Sequence, residues 1–171
     1  MFTLARRYSS PSGSSNDGLV GWEVRPIGDS SRYVGTITLQ SEATLNALTV
    51  EMGKEFSALC REIAHDLCTG EQQVDAVVVT GKGDAAFSAG GNLDWLRSLR
   101  HNPVHANADL MMQFYRSFLC VRDIPVPVIA AIHGPAMGAG AGLALACDLR
   151  TASPKPKILG LHFTKLGIHA G

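Results

Sequence analysis

Two glycine-rich turns, each placed straight after a β-branched run, constrain this chain most. Val77-Val78-Val79-Thr80 leads to Ala86-Phe87-Ser88-Ala89-Gly90-Gly91-Asn92, and Val128-Ile129-Ala130-Ala131-Ile132 leads to Gly134-Pro135-Ala136-Met137-Gly138-Ala139-Gly140-Ala141-Gly142. Each reads as strand, turn and helix start. Small residues in such turns let backbone N–H groups approach a ligand without a side chain in the way. A helix N-terminus adds unpaired donors with partial positive charge. Two such donors aimed at one point make an oxyanion hole, which needs no special side chain.

Periodicity supplies the frame around the turns. Trp22-Glu23-Val24 and Tyr33 to Leu39 read as paired strands about a Pro26/Gly28 turn. Leu48, Met52, Phe56, Leu59, Ile63 and Leu67 recur at three and four, which predicts a helix from Thr49 that Gly70 stops. Val74 to Thr80 forms the next buried strand. A second helix is predicted over Ala106 to Arg122, with Leu110, Phe114, Phe118 and Val121 on one face, and Pro125 and Pro127 lead into the strand Val128 to Ile132. Leu149 to Ala152 closes the series as a strand. Alternation of this kind means an α/β fold with mostly parallel strands.

Composition narrows the function classes. With 15 basic and 15 acidic residues the net charge is zero, neither sign forms a block, and nothing points to nucleic acid. Cys60, Cys68, Cys120 and Cys147 form no C-x-x-C pair, which suits a reducing compartment and argues against a zinc site. The longest apolar stretch, Val126 to Leu145, is broken by His133, Pro135 and four glycines, so a membrane span is not expected. Residues 1–17 read as a mitochondrial presequence, hence a matrix location, or as a disordered tail. Arg6, Arg7 and several serines precede Asn16, and the first acid is Asp17.

Three stretches resemble the crotonase superfamily, the enoyl-CoA hydratase/isomerase proteins. They are Thr44-Leu45-Asn46-Ala47-Leu48, Phe87-Ser88-Ala89-Gly90-Gly91-Asn92-Leu93, and His133 through Leu149 with its glycine run. They stand in family order and spacing. The resemblance implies a spiral of ββα repeats, which pattern alone does not separate from a doubly wound sheet. It also implies a fatty acyl-CoA thioester as substrate, acted on through an enolate in mitochondrial fatty acid β-oxidation. Coenzyme A arrives as part of the substrate, and no further cofactor is expected. The first oxyanion N–H falls on Ala89 and the second on Ala139. Gly90, Gly91 and Asn92 would line the thioester, and Ser88, Gly138 and the stretch Asn46, Ala47, Leu48 would belong to the substrate site.

The family's domain is longer than 171 residues, so residues 18–171 read as a core incomplete at the C-terminus. A short paralogue complete in itself is the alternative. The later helices cover the acyl pocket and build the family's trimer or hexamer, so that assembly is expected only where they are present. Without that cover, the strands around Val77-Val78-Val79 and Ile129 to Ile132 are expected to leave an apolar patch that drives self-association.

Acid/base chemistry is where the resemblance fails. Hydration of an enoyl thioester needs one group to activate water and another to protonate the α-carbon, and the hydratases use two glutamates. Those positions here are Gly142 and Phe163. The carboxylate of some isomerases would fall at Gly171 or later. Histidine is a residue type able to transfer protons, so His133 and His162 are candidates, but histidines so placed are more often structural. Asp94 belongs to a first helical turn, Asp148 matches a structural aspartate, and Ser88 lacks a G-x-S-x-G context. Two other readings stay open. One is an acyl-CoA-binding or assembly subunit without the acid/base carboxylates. The other is a dinucleotide enzyme, for which Gly138-x-Gly140 lacks the expected first strand and acidic partner.

Overall fold

The structure, a computed structural model, describes residues 18–28, 30–154, 158–161 and 163. The segment read as a presequence lies outside the described residues, as do His162, His169 and the stretch 164–171. Strands β1 (Val20–Pro26) and β2 (Tyr33–Leu39) pair antiparallel in register Val20 to Leu39, as the Pro26/Gly28 turn requires. From β2 onward the sheet is parallel: β3 (Ala76–Gly81) joins β2, β4 (Val128–Ile132) joins β3, and a later strand, Leu149–Ala152, joins β4. Each new parallel strand is added on the same side of the last. A doubly wound sheet would reverse direction at a switch point, and this one does not.

Between the main strands and the helices runs a second, shorter ladder. Leu48 bridges Gly91, and Ser88 bridges Ala136, both in parallel sense. The short strand β5 (Ala136–Met137) then pairs with a distant segment, Leu159–Gly160. Among the described residues, the three turns that begin at β2, β3 and β4 each contribute a long strand, a short extended segment and a helix. That is a ββα spiral, read from register rather than from likeness. With β5 placed, helix α4 spans Ala139–Ala146, β6 is Leu149–Ala152 and β7 is Leu159–Gly160.

Helix α1 (Val50–Thr69) begins where Thr49 Oγ1 accepts the Met52 N–H at 3.1 Å and ends at Gly70, whose φ of +74° only glycine adopts freely. Its buried stripe is Met52, Gly53, Phe56, Cys60 and Ile63. A Cβ at Gly53 would overlap Ser117, so the glycine lets α3 (Val104–Leu119) lie close. Rings carry the contact onward: Phe118 stands 5.5 Å from Phe56 and 5.3 Å from Phe114, and Phe114 lies 4.8 Å from Trp95 of α2 (Leu93–Ser98). Contacts of this kind add to ordinary area burial. Helix α3 ends sooner than periodicity predicts, its last turn tightening to a 3₁₀ turn at Cys120–Asp123. Leu110 also sits at its rim, 38% exposed, because the inward face is centred on Phe114 and Phe118.

Alternation decides the strands. Val77 and Val79 are wholly buried while Val78 between them is only half-buried, and β4 repeats the pattern with Val128, Ala130 and Ile132 inside. Beyond them β6 is exposed along its whole length, Leu149 being 58% open. Among the described residues no helix is long and apolar enough to cross a membrane.

Candidate functional site

Both glycine turns end at the same place. Ser88 N–H donates to Pro135 O at 3.1 Å, Met137 N–H donates to Ser88 O at 2.9 Å, and the second turn is thereby bonded to the first on both sides of one residue. Glycine makes the approach possible. A Cβ at Gly90 would stand 2.5 Å from Met137 O and 3.5 Å from Ala139 N, and one at Gly140 would meet Ser88 Cβ at 2.7 Å. Gly90 has φ of +96° and Gly138 has φ of +51° with ψ of −117°, both closed to ordinary L-residues.

Hydrogen bonds sort the donors of the first turn. Ala89 N–H is committed to Leu45 O at 2.8 Å, Gly90 N–H to Ser88 Oγ at 3.2 Å, and Asn92 N–H to Leu48 O at 3.0 Å. From Ser88 to Asn92, Gly91 alone keeps its N–H without an acceptor among the described residues. In the second turn Gly138 N–H donates to Gly160 O at 2.7 Å, and α4 then starts at Ala139, whose N–H likewise has no acceptor among the described residues. A first turn has no carbonyl one turn back to bond, so such donors stay open to a ligand. No acidic side chain occupies that turn to neutralise the helix's positive end.

A cavity of about 90 Å³ lies against both donors. Ala89, Gly90, Gly91, Gly138 and Ala139 form one wall, Leu93 and Leu96 of α2 another, and Met111, Phe114 and Tyr115 of α3 a third, with Met137 and Phe163 completing it. Gly91 faces this wall directly, since a Cβ there would stand 3.6 Å from Leu96 Cδ1 and 3.9 Å from Phe114 Cζ. The site is thus a small apolar chamber with two backbone donors at its edge. That suits a ligand with a hydrocarbon part and one carbonyl-type oxygen.

The sequence model of enoyl-CoA hydratase/isomerase matches residues 29–171. The chain belongs to the enoyl-CoA hydratase/isomerase family. It is 36% identical over 140 residues to a Mycobacterium tuberculosis protein named "Probable enoyl-CoA hydratase EchA14", covering 82% of this chain and 51% of that one. It is 35% identical over 129 residues to the fatty acid oxidation complex subunit alpha of Shewanella frigidimarina, covering 75% of this chain and 17% of that one. The crystal structure of an enoyl-CoA hydratase from Polaromonas sp. JS666 superposes with a TM-score of 0.71 at 28% identity, covering 88% of this chain and 54% of that one. The chain spans about half the length of the curated hydratases it matches.

Within this site, several residues expected to touch substrate prove to be framework. Ala89 is corrected first: it lines the cavity, but its N–H is spent on Leu45 O and cannot serve as the free donor. Its neighbour Gly91 carries the free N–H instead. Asn46 is 1% exposed, and its side chain accepts from Ser41 N at 3.1 Å while donating to Lys82 O at 3.0 Å and Ala86 O at 2.9 Å. Nothing of that amide is left for a ligand. Ala47 and Leu48 are buried, Leu48 bonding its N–H to Gly90 O at 2.7 Å. Ser88 is fully buried and donates to Asn46 O at 2.8 Å. Asn92 turns its side chain away to cap α2, accepting from Trp95 N at 2.9 Å.

The other candidates are structural as well. His133 Nδ1 lies 3.3 Å from Thr80 Oγ1 and does not line the cavity. Asp94 pairs with Arg97 at 3.0 Å on the exposed face of α2, and Asp148 accepts the Val128 N–H at 2.8 Å. Burial pushes the Cys147 thiol up to about 12, with the Asp148 carboxylate adding to it, so it stays protonated and inert. Phe163, at the second hydratase glutamate position, stands in the cavity wall. Sequence periodicity assigns Phe114 to the core and gives no sign that its neighbours Met111 and Tyr115 wall a cavity. That dual use of one helix face appears only after α2 and α3 have docked.

The amide of Asn46 makes its strongest claim in folding. Asn46→Ala removes one acceptor and two donors from one buried and two part-buried backbone groups and places alanine at φ of +54°. Urea denaturation should show a loss of about 3 kcal/mol or more. A loss under about 1 kcal/mol would contradict the framework role.

Proposed function

We propose that this chain binds an acyl-CoA thioester with its carbonyl oxygen between the N–H groups of Gly91 and Ala139, and that these donors stabilise the enolate formed from it. One observation carries the reading. Between Ser88 and Asn92, where every other N–H is taken by the protein, the donor left open lies on the cavity wall, as does the open donor at the start of α4. Donors fixed in advance at the edge of an apolar chamber favour the state in which negative charge has developed, because they need no reorganisation. The apolar walls from α2 and α3 take the acyl chain. The names of the relatives, enoyl-CoA hydratases and a fatty acid oxidation subunit, support the same substrate class.

Proton transfer is the weak part of the site, and this favours the second reading of an acyl-CoA-binding protein with little hydratase activity. Neither Gly142 nor Phe163 carries a carboxylate. The finer assignment to mitochondrial β-oxidation rests on the acid-free, Arg-bearing residues before Asp17. A reporter fused behind residues 1–17 should enter mitochondria, and a reporter left in the cytosol would remove that assignment.

Gly91→Pro tests the donor by deleting its N–H, and φ at Gly91 is not left-handed. Turnover of an acyl-CoA, or affinity for an enolate-like thioester, should fall by about a hundredfold or more with the fold retained by circular dichroism. An unchanged value in the folded variant would sink the assignment.

Gly142 allows a test by gain. It stands three residues after Ala139 on α4, hence on the same face, and a Cβ there meets nothing within 4 Å. Gly142→Glu should therefore fold and raise crotonyl-CoA hydration above the slow wild-type rate, since a positioned acid or base contributes roughly 10²–10⁴-fold. A folded Gly142→Glu variant no faster than wild type would show that the acid/base role is not reached from this position.

A further inference from the structure

Cysteines that stand far apart in the sequence share one part of the core. Cys60 is 1% exposed on the inward stripe of α1, Cys147 is buried at the end of α4, and Cys120 is half-buried where α3 passes into its 3₁₀ turn. Helix α1 and the end of α3 run past each other in step. A Cβ at Gly53 would overlap Ser117, Phe56 stands 5.5 Å from Phe118, and one turn further along α1 the Cys60 thiol shares a hydrogen bond with the Cys120 thiol. Cys120 Sγ in turn donates to Ser117 O at 3.2 Å. Cys147 is engaged elsewhere, its thiol donating to Leu143 O at 3.4 Å.

The shared hydrogen bond makes the two thiols unequal. It, and after it burial, pushes the Cys60 thiol up, while the same bond holds the Cys120 thiol below its ordinary value. Cys120 is also the one of the two that solvent reaches. A partly exposed thiol of lowered pKa beside a second, shielded thiol is the arrangement that reacts with an oxidant and then closes on its neighbour. No group of acidic, histidine and cysteine side chains among the described residues is placed to hold a metal ion, so the pair is not part of a metal site there.

We propose that Cys60 and Cys120 form a thiol-oxidation site, which a small disulfide of the glutathione type converts into an intramolecular Cys60–Cys120 disulfide. The Cys120 thiolate attacks the small disulfide, forming a mixed disulfide and releasing one thiolate, which takes up the Cys120 proton. Cys60 Sγ then attacks Cys120 Sγ, and the second small thiol leaves with the Cys60 proton. Two protein thiols are oxidised by two electrons, and one small disulfide is reduced to two thiols. Closure brings sulfurs already in contact to the S–S length of about 2.0 Å. The bridge ties α1 to the end of α3, the helix that walls the cavity with Met111, Phe114 and Tyr115. It stands independently of the acyl-CoA reading. Such a pair stays reduced in a reducing compartment and closes as the small-disulfide pool rises.

Non-reducing peptide mapping by mass spectrometry tests it on the folded full-length chain after incubation with oxidised glutathione. Both the Cys60 and the Cys120 thiol should be lost together into one cross-linked peptide, with Cys147 still free and both thiols recovered by dithiothreitol. Cys60→Ala removes the resolving thiol, so the same treatment should leave glutathione trapped as a stable adduct on Cys120. A glutathione adduct on Cys120 of the wild type with Cys60 still free would overturn the proposal. So would a bridge from Cys60 to Cys147, a Cys60–Cys120 bridge formed only in denaturant, or both thiols left unmodified. A folded Cys60→Ala chain with no adduct on Cys120 would overturn it as well, because Cys120 is then not the thiol attacked first. The wild-type map decides alone if that variant does not fold.

Discussion

Ser88 gives its hydroxyl proton to Asn46 O at 2.8 Å and takes the Gly90 N–H at 3.2 Å, while its own backbone bonds Pro135 and Met137. Three segments far apart in sequence meet at this fully buried side chain. Asn46 continues the junction by tying the turn at Ser41 to the carbonyls of Lys82 and Ala86. Leu45 and Asn46 hold consecutive left-handed conformations, with φ of +56° and +54°, a cost that persists because these bonds over-determine it. The same bend presents Leu45 O to Ala89. The first glycine turn is therefore fixed by partners lying outside it, and the open N–H of Gly91 is what those partners leave over between Ser88 and Asn92.

The same dependence on distant partners sets how much is legible from sequence. The frame is plain there: the stripe of Met52, Phe56 and Ile63, the Thr49 cap and Gly70 stop of α1, and the strands at Tyr33, Val77 and Val128 all follow from local periodicity and turn chemistry. Such signals are short-range, and a chain displays them without its partners. The direction of sheet growth is not legible, since parallel strands with helices between them fit either a spiral or a reversal. Strand order settles it, each parallel strand from β2 to β6 joining the far side of the last, with the second ladder of Leu48 with Gly91 and Ser88 with Ala136 alongside.

The site is legible as a place but not donor by donor. Ala89, Gly90 and Gly91 are equally small, and nothing local tells which N–H the protein consumes. The acceptor that takes Ala89 is Leu45 O, far earlier in the chain, so the answer lies in a long-range contact. The apolar wall is hidden for a related reason. Phe114 carries a core signature whether its neighbours on α3 meet other side chains or a ligand, and burial physics does not distinguish the two before docking. Asn46 and Ser88 show the reverse error, polar residues near a site that serve the scaffold rather than the substrate.

The central claim is that Gly91 and Ala139, not Ala89, face the ligand oxygen. Backbone amide shifts of the ¹⁵N-labelled chain, followed on addition of butyryl-CoA and separately of free CoA, test it most directly. Large downfield proton shifts are expected at Gly91 and Ala139 with the thioester and not with free CoA, while Ala89, already bonded to Leu45 O, stays near its starting position. A shift at Ala89 with Gly91 silent, or thioester binding that leaves both Gly91 and Ala139 unmoved, would contradict it.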